Sequence, residues 1–203
     1  VYLASGTGFA DALSGAPAAA NGVAPRSLPA QDGQDAPVLL TRTDRIPADT
    51  LKAIEDLGAS KVVILGGEAA VSAKVAGELE AEGLDVARVA GTDRYETSAN
   101  VATMFGNNVD TLYVASGEDR AFADALTGGA LAGAQDAPVL LTRPDKADAV
   151  TKEAVAALNP KRVVVLGGPA AVSDAVYAEL GGTERLAGSD RYGTSAAVAA
   201  QFD

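Results

Sequence analysis

The chain has no cysteine, no histidine and no tryptophan in 203 residues, and aromatic side chains make up only 4%. Without cysteine there is no disulfide and no thiolate metal site. Without histidine the commonest metal ligand and the usual general base near neutral pH are both missing. Long apolar runs are missing too: charged residues or Gly-Pro punctuation interrupt every hydrophobic stretch short of the roughly 18 residues needed to cross a bilayer, so membrane insertion is not expected. Cations are in the minority, 16 Lys+Arg against 27 Asp+Glu, and the net charge of −11 opposes binding to nucleic acid or anionic lipid. A cysteine-free composition fits a secreted setting without requiring one. The opening VYLASG reads as a buried strand with no initiator Met, basic segment or cleavage site before it. The expectation is a mature protein or an excised piece of a longer one.

What is present is apolar residues, at 48%, enough for a substantial core in one domain or two small ones. They are arranged in duplicate. VYLASG at 1–6 returns as LYVASG at 112–117, FADAL at 9–13 returns at 122–126, and APVLLTR at 36–42 returns at 137–143. VVILGGEAAVS at 62–72 returns as VVVLGGPAAVS at 163–173, and RVAGTDRYETSA at 88–99 as RLAGSDRYGTSA at 185–196. The order is kept while the spacing drifts, so insertions lie in the connections, and two units follow, 1–106 and 107–203. The first has the longer loop, NGVAPRSLPAQDGQDA, whose Pro, Gly and Asp predict an exposed path.

Within each unit, β-branched or Leu-rich runs alternate with Ala-rich segments of helical period, the pattern of βαβ units on a parallel sheet. The runs VYLAS, PVLLT, KVVILG and VARVA lack polar alternation and are expected to be buried on both faces, with APVLLT and VV(I/V)LGG central. Helices are expected over ADALSGAPAAA, PADTLKAIEDL, SAKVAGELEAE and RYETSANVATMF, with Pro47 in a first turn and Gly58 as a stop. Each unit thus reads as a small three-layer α/β sandwich with about four parallel strands. RYETSANVATMF precedes the second unit's first strand, whose sheet is expected to cover Met104 and Phe105, whereas its counterpart RYGTSAAVAAQF ends the chain. Tyr192 to Phe202 are expected to pack on an apolar surface: the first unit's sheet, a partner chain or a third repeat.

Together the ASG…FADAL, APVLLT, VVxLGGxAAVS and RxAGxDRYxTSA blocks closely resemble the type 2 cell-wall-binding repeat of Gram-positive surface proteins, over essentially the whole chain and twice. The resemblance implies a Toprim-like or Rossmann-like α/β fold and non-covalent anchoring of a secreted protein to the cell wall through an anionic secondary wall polysaccharide. Such repeats commonly occur in threes, and only two are present. The expected location is the cell surface, the expected partner that glycopolymer, with self-association through the repeats as a further partnership and no cofactor.

In open α/β sheets, ligands sit beyond the carboxyl ends of the strands, where helix N-termini attract anions. The repeated polar residues fall there. Arg94 and Arg191, in the two GxDRYxTS turns, are the preferred ligand contacts because guanidinium is a donor array for phosphate or carboxylate. The alternative is a buried staple to Asp11 or Asp124 that holds the unit together. Asp93 and Asp190 read as N-caps or as ligand contacts, Asp93 with Glu96 as a capping-box partner. Thr97, Ser98, Thr194 and Ser195 supply hydroxyls suited to sugars, and Arg42 and Arg143 follow the second strand of each unit. Asp11 and Asp124, in an apolar FADAL segment, are either satisfied by backbone and Arg or face a polar groove. The Gly66-Gly67 and Gly167-Gly168 pairs fit a tight strand-to-helix turn or a phosphate cradle, and Ser72 and Ser173 read as N-caps.

Catalysis has little support. Toprim chemistry needs a DxD pair, absent from the chain, and no GxSxG elbow occurs. A non-catalytic anchor is therefore expected, with a self-associating scaffold or a phosphate- or nucleotide-binding α/β enzyme as the alternatives.

Overall fold

The computed structural model describes residues 1–28 and 35–202. In the first unit, strands β1 (Tyr2–Ser5), β2 (Val38–Thr41), β3 (Lys61–Leu65) and β4 (Asp85–Val89) alternate with helices α1 (Ala10–Ala20), α2 (Ala48–Asp56), α3 (Ala73–Ala81) and α4 (Arg94–Ala102). The second unit repeats this with β5 (Thr111–Ser116), α5 (Phe122–Ala134), β6 (Val139–Thr142), α6 (Ala149–Leu158), β7 (Arg162–Leu166), α7 (Asp174–Glu179), β8 (Glu184–Leu186) and α8 (Arg191–Ala199). Two sheets result, ordered β2-β1-β3-β4 and β6-β5-β7-β8, and every pairing is parallel. Each sheet is faced on both sides: Ala18 and Ala19 of α1 lie on one side of the first sheet, Ile54, Val75 and Leu79 of α2 and α3 on the other. The duplicated α/β sandwich expected from the repeats is the fold.

The APVLLT strands are edges, not centres; β1 and β3, or β5 and β7, occupy the middle. The identical VLLT segments differ in burial. Leu141 is fully buried, whereas its counterpart Leu40 is 53% exposed. The cause is α4, which leaves its own unit and lies along the β6 edge. Its Ala99 and Ala102 join Leu140, Ala154 and Leu158 in one core of the second unit, and Tyr95 joins Leu131, Val139 and Leu141 in the other. The Ser98 hydroxyl accepts a hydrogen bond from the Leu141 amide at 3.0 Å, satisfying an edge group that would otherwise lack a partner. No helix covers the β2 edge in this way among the described residues.

Helices α1 and α5 meet across the two units through small residues. A Cβ on Gly133 would lie 3.3 Å from Ala20 Cβ, and the Asn21 amide donates to the Gly133 carbonyl at 3.1 Å.

Four local expectations need correction. Helix α8 forms and buries Thr194 and Val198, but Tyr192 is 78% exposed and Phe202 48%, so its outer face is bare. Met104 and Phe105 pack against the first unit's core beside Tyr2 and Leu28, because α4 passes between the units and sends its end back. Ser72 stands at the α3 N-cap position without making the capping bond, whereas Ser173 accepts from Val176 N at 3.3 Å. In the long loop of the first unit Leu28 is buried, contrary to an exposed path, and residues 29–34 lie outside the described residues.

Candidate functional site

The carboxyl ends of both sheets open on the same side as the two GxDRYxTS turns. In the first turn Asp93 caps α4, accepting from Tyr95 N and Glu96 N, and Glu96 reaches back to Thr92 N at 2.6 Å. In the second, Asp190 caps α8 through Gly193 N at 2.9 Å. The hydroxyls of Thr97 and Thr194 accept from the amides of Gly91 and Gly188, which fixes each turn from inside. Both threonines are 2% exposed. Gly66 and Gly167 have φ of 95° and 92°, where glycine is favoured, and a Cβ at either would strike the carboxylate of Asp11 or Asp124.

Those carboxylates line the two clefts beneath the turns. The first, about 350 Å³, is bounded by Ser5, Asp11, Asp93, Arg94, Thr97 and Asp119 among others. The second, about 260 Å³, includes Arg120, Asp124, Gly188, Asp190, Arg191 and Thr194. Burial raises the pKa of both aspartates, opposed by Arg94 at Asp11 and by Arg191 and a Thr194 hydrogen bond at Asp124. Asp124 is 8% exposed. A folded-state pKa above the unfolded value means that the native state holds its proton to higher pH, so stability falls as pH rises through that window. Asp124→Asn is therefore expected to raise the melting temperature at pH 7 and to leave it nearly unchanged at pH 3, which paired melts of wild type and variant would measure.

The two arginines are not equivalent. Arg94 donates to the Gly117 carbonyl at 2.7 Å and to Asp119 at 2.6 Å, and lies over the Phe9 ring at 5.6 Å. Its partners belong largely to the second unit, so it joins the units; the carboxylate it reaches is Asp119, not Asp11 or Asp124. Arg191 makes no hydrogen bond or ion pair among the described residues and is exposed. Arg143 also bridges the units: it pairs with Asp148 at 2.6 Å and Asp93 at 3.3 Å, and its guanidinium lies 4.3 Å from the centre of the Tyr95 ring. Tyr95 donates to Glu118 at 3.0 Å, and burial pushes its phenol up to about 12.

A third cleft, about 490 Å³, lies over this junction and is lined by Asp93, Arg94, Glu118, Asp119, Arg120 and Arg143. It shares Arg94 with the first cleft and Arg120 with the second, so the three run together. Arg120, exposed and unpaired among the described residues, is the residue that repeat-based reasoning passes over. It stands in a stretch, SGEDRAFADAL against SGTGFADAL, with no counterpart in the first unit. Ser98, Ser195 and Arg42 line none of the three. Ser98 is fully buried in the junction, and Arg42 is exposed beside the bare β2 edge. Among the described residues no group of three acidic, His or Cys side chains is placed to hold a metal, and no helix is long and apolar enough to cross a membrane.

The model of the cell wall binding domain 2 family matches residues 1–76 and again 88–177. The chain belongs to that family. It is 28% identical over 196 residues to the N-acetylmuramoyl-L-alanine amidase LytC of Bacillus subtilis, covering 97% of this chain and 36% of that protein. The amidase enhancer of the same organism is 30% identical over 77% of this chain and 23% of its own length. Among solved structures, Cwp8 from Clostridium difficile superposes with a TM-score of 0.83 at 29% identity, over 100% of this chain and 33% of that one. Cwp6 from the same organism gives 0.85 at 26%, over 99% and 31%. This cell wall binding domain therefore spans about a third, or less, of these relatives. The family resemblance drawn from the sequence motifs holds in both units.

Proposed function

We propose that this domain is a non-catalytic anchor that fixes a secreted protein to the cell wall by holding an anionic secondary polysaccharide along the three joined clefts. The observation that carries the reading is the placement of Arg120 and Arg191, exposed and without a hydrogen bond or ion pair among the described residues, beside the helix N-terminus at Asp190, where Arg191 also acts on the Asp124 carboxylate. Guanidinium groups and exposed helix amides together favour phosphate or carboxylate groups on a polymer. Arg94 and Arg143 continue the same line, although their own carboxylate partners temper their charge. Local arginines can hold an anionic ligand on a chain of net charge −11 because at about 0.15 M salt charges beyond about 8 Å are largely screened. Two related units with weak sites on one polymer gain from avidity.

The test is co-sedimentation with isolated walls, before and after extraction of their secondary polymers, alongside melting curves. Arg120→Ala with Arg191→Ala is expected to lose wall binding with an unchanged melt, since neither side chain holds the fold. Arg94→Ala is expected to lower the melting temperature first. Full binding by the Arg120/Arg191 double variant, or undiminished binding to extracted walls, would overturn the assignment.

A further inference from the structure

The end of α1 lies in the joint between the two units, against α5, and meets two local demands. The first is a helix stop. Asn21 is the C-cap, Gly22 follows with φ of 59°, Gly22 N donates to the Ala19 carbonyl at 3.2 Å and Val23 N to that of Ala18 at 2.8 Å. This is the left-handed Schellman turn, in which glycine is favoured because it has no Cβ. The second demand is the contact with α5. The half-buried Asn21 side chain donates to the Pro17 carbonyl of its own helix at 2.8 Å and to the Gly133 carbonyl of the other unit at 3.1 Å. Two donors on so short a stem are what an asparagine amide supplies.

Together the two demands place asparagine directly before glycine. Of the five asparagines in the chain, Asn21 alone precedes a glycine. That pair is chemically labile, because with no Cβ on the following residue its backbone nitrogen reaches the asparagine Cγ with little hindrance. The second unit makes the same turn without it. Gln135 is the C-cap of α5, Asp136 follows with φ of 52°, and Ala137 N donates to the Ala132 carbonyl at 3.0 Å. The Gln135 side chain accepts from the Tyr113 hydroxyl at 2.7 Å, inside its own unit, and its longer stem would have to close a larger, less favourable ring. The helix stop alone therefore does not require the labile pair; the stop and the bridge to Gly133 together produce it.

We propose that Asn21 is a site of spontaneous deamidation that the joint guards, and that its reaction loosens the joint. Gly22 N attacks Asn21 Cγ to form a succinimide; the proton of Gly22 N passes to a solvent base, and the side-chain nitrogen takes a proton from water and leaves as ammonia. Water then opens the ring. Breaking the bond between Cγ and Gly22 N gives aspartate, and breaking the bond between the main-chain carbonyl and that nitrogen gives isoaspartate, with an added carbon in the main-chain path. The closed joint slows the first step, because the amide is turned to two carbonyls and Gly22 N is held by Ala19, so ring closure waits for local opening of the α1 end. Either product weakens the contact. A carboxylate has no proton to give the carbonyls of Pro17 and Gly133, and its charge opposes the dipole at the C-terminus of α1. The isoaspartyl link also displaces Gly22 and Val23, which bond to Ala19, Ala18 and the Tyr2 hydroxyl.

Arg26 is the first basic residue of the chain, so trypsin releases residues 1–26, whose one amide side chain is Asn21. The protein is incubated in warm, mildly alkaline buffer, either folded or in guanidinium chloride, and that peptide is followed by mass and by chromatographic separation of the isoaspartyl form. It is expected to gain the mass of an amide-to-acid exchange in both states, at least about tenfold more slowly from the folded protein. Gly22→Asp, which copies the turn at Asp136, is expected to melt near the wild type and to slow the reaction in both states. The reacted protein, separated by charge, and Asn21→Asp are each expected to melt several degrees below the unmodified chain, the isoaspartyl form lowest. Equal rates in the two states would mean that the joint gives no protection. A folded protein that never reacts would remove the site, and a reacted fraction that melts with the unmodified one would remove its consequence; each of these results overturns the proposal.

Discussion

Tyr95→Ala is expected to destabilise the domain by about 3–5 kcal/mol, the range for losing a large buried aromatic side chain, whereas Tyr192→Ala in the identical DRY motif changes stability by less than about 0.5 kcal/mol. The ring of Tyr95 is packed against Leu131, Val139 and Leu141 of the other unit. Its removal also strands Arg143, which lies over its face, and deletes the hydroxyl donor to Glu118. The cavity cannot collapse easily, because the backbone on one side is strand β5 running into Gly117 and on the other the capped first turn of α4. Chemical denaturation of both variants measures the difference. Equal losses would mean that the joint does not hold the units together.

This pair of tyrosines also marks how far the sequence is informative. The order of elements, the parallel sheets and the duplication are legible because each block appears twice with the period of its own secondary structure. The turn is legible as well: Asp before Arg-Tyr at a helix start reads as a cap, and both aspartates cap. Which copy of a repeated residue is buried is not legible, since Tyr95 and Tyr192 have nearly the same neighbours in sequence and differ only in what lies across space. The same holds for VLLT. A run without polar alternation fits a central strand, and equally an edge strand closed by a helix from elsewhere, so β6 and β2 read alike although only one is covered. The hydroxyl residues expected to face sugars sort by the same rule: Thr97 and Thr194 bond the turn from within, and Ser98 is consumed by the edge of β6. Arg120 escapes notice for the opposite reason. A search for repeated residues cannot weight one that occurs once, although its place between the end of β5 and the start of α5 is where an open sheet gathers its ligands.

Gly188→Ala is expected to disable the second turn and its cleft together, with a loss of about 3 kcal/mol, the upper part of the range for forcing extra atoms into a packed site. A Cβ there would fall far inside contact distance of the Gly193 backbone and 2.7 Å from Thr194 N. These are main-chain atoms at the start of α8, so no rotamer change makes room; the turn must open. Opening it breaks the bond from Gly188 N to the Thr194 hydroxyl and pulls Gly193 N from the Asp190 cap, a cap alone being worth about 1 kcal/mol. Arg191, the first residue of α8, then loses its fixed position beside Asp124 and Arg120. Wall binding should fall as far as in Arg191→Ala, but with a lowered melting temperature. Gly168→Ala is the control in the same cleft: a Cβ there meets nothing within 4 Å and its φ is not positive. Stability should stay level or rise by up to about 1 kcal/mol, because alanine lowers the entropy of the unfolded chain. Denaturation and wall sedimentation of the two glycine variants side by side separate a turn that must be tight from a cleft wall that is merely small. An unperturbed Gly188→Ala protein would mean that the close approach of the two glycine backbones does not set the turn.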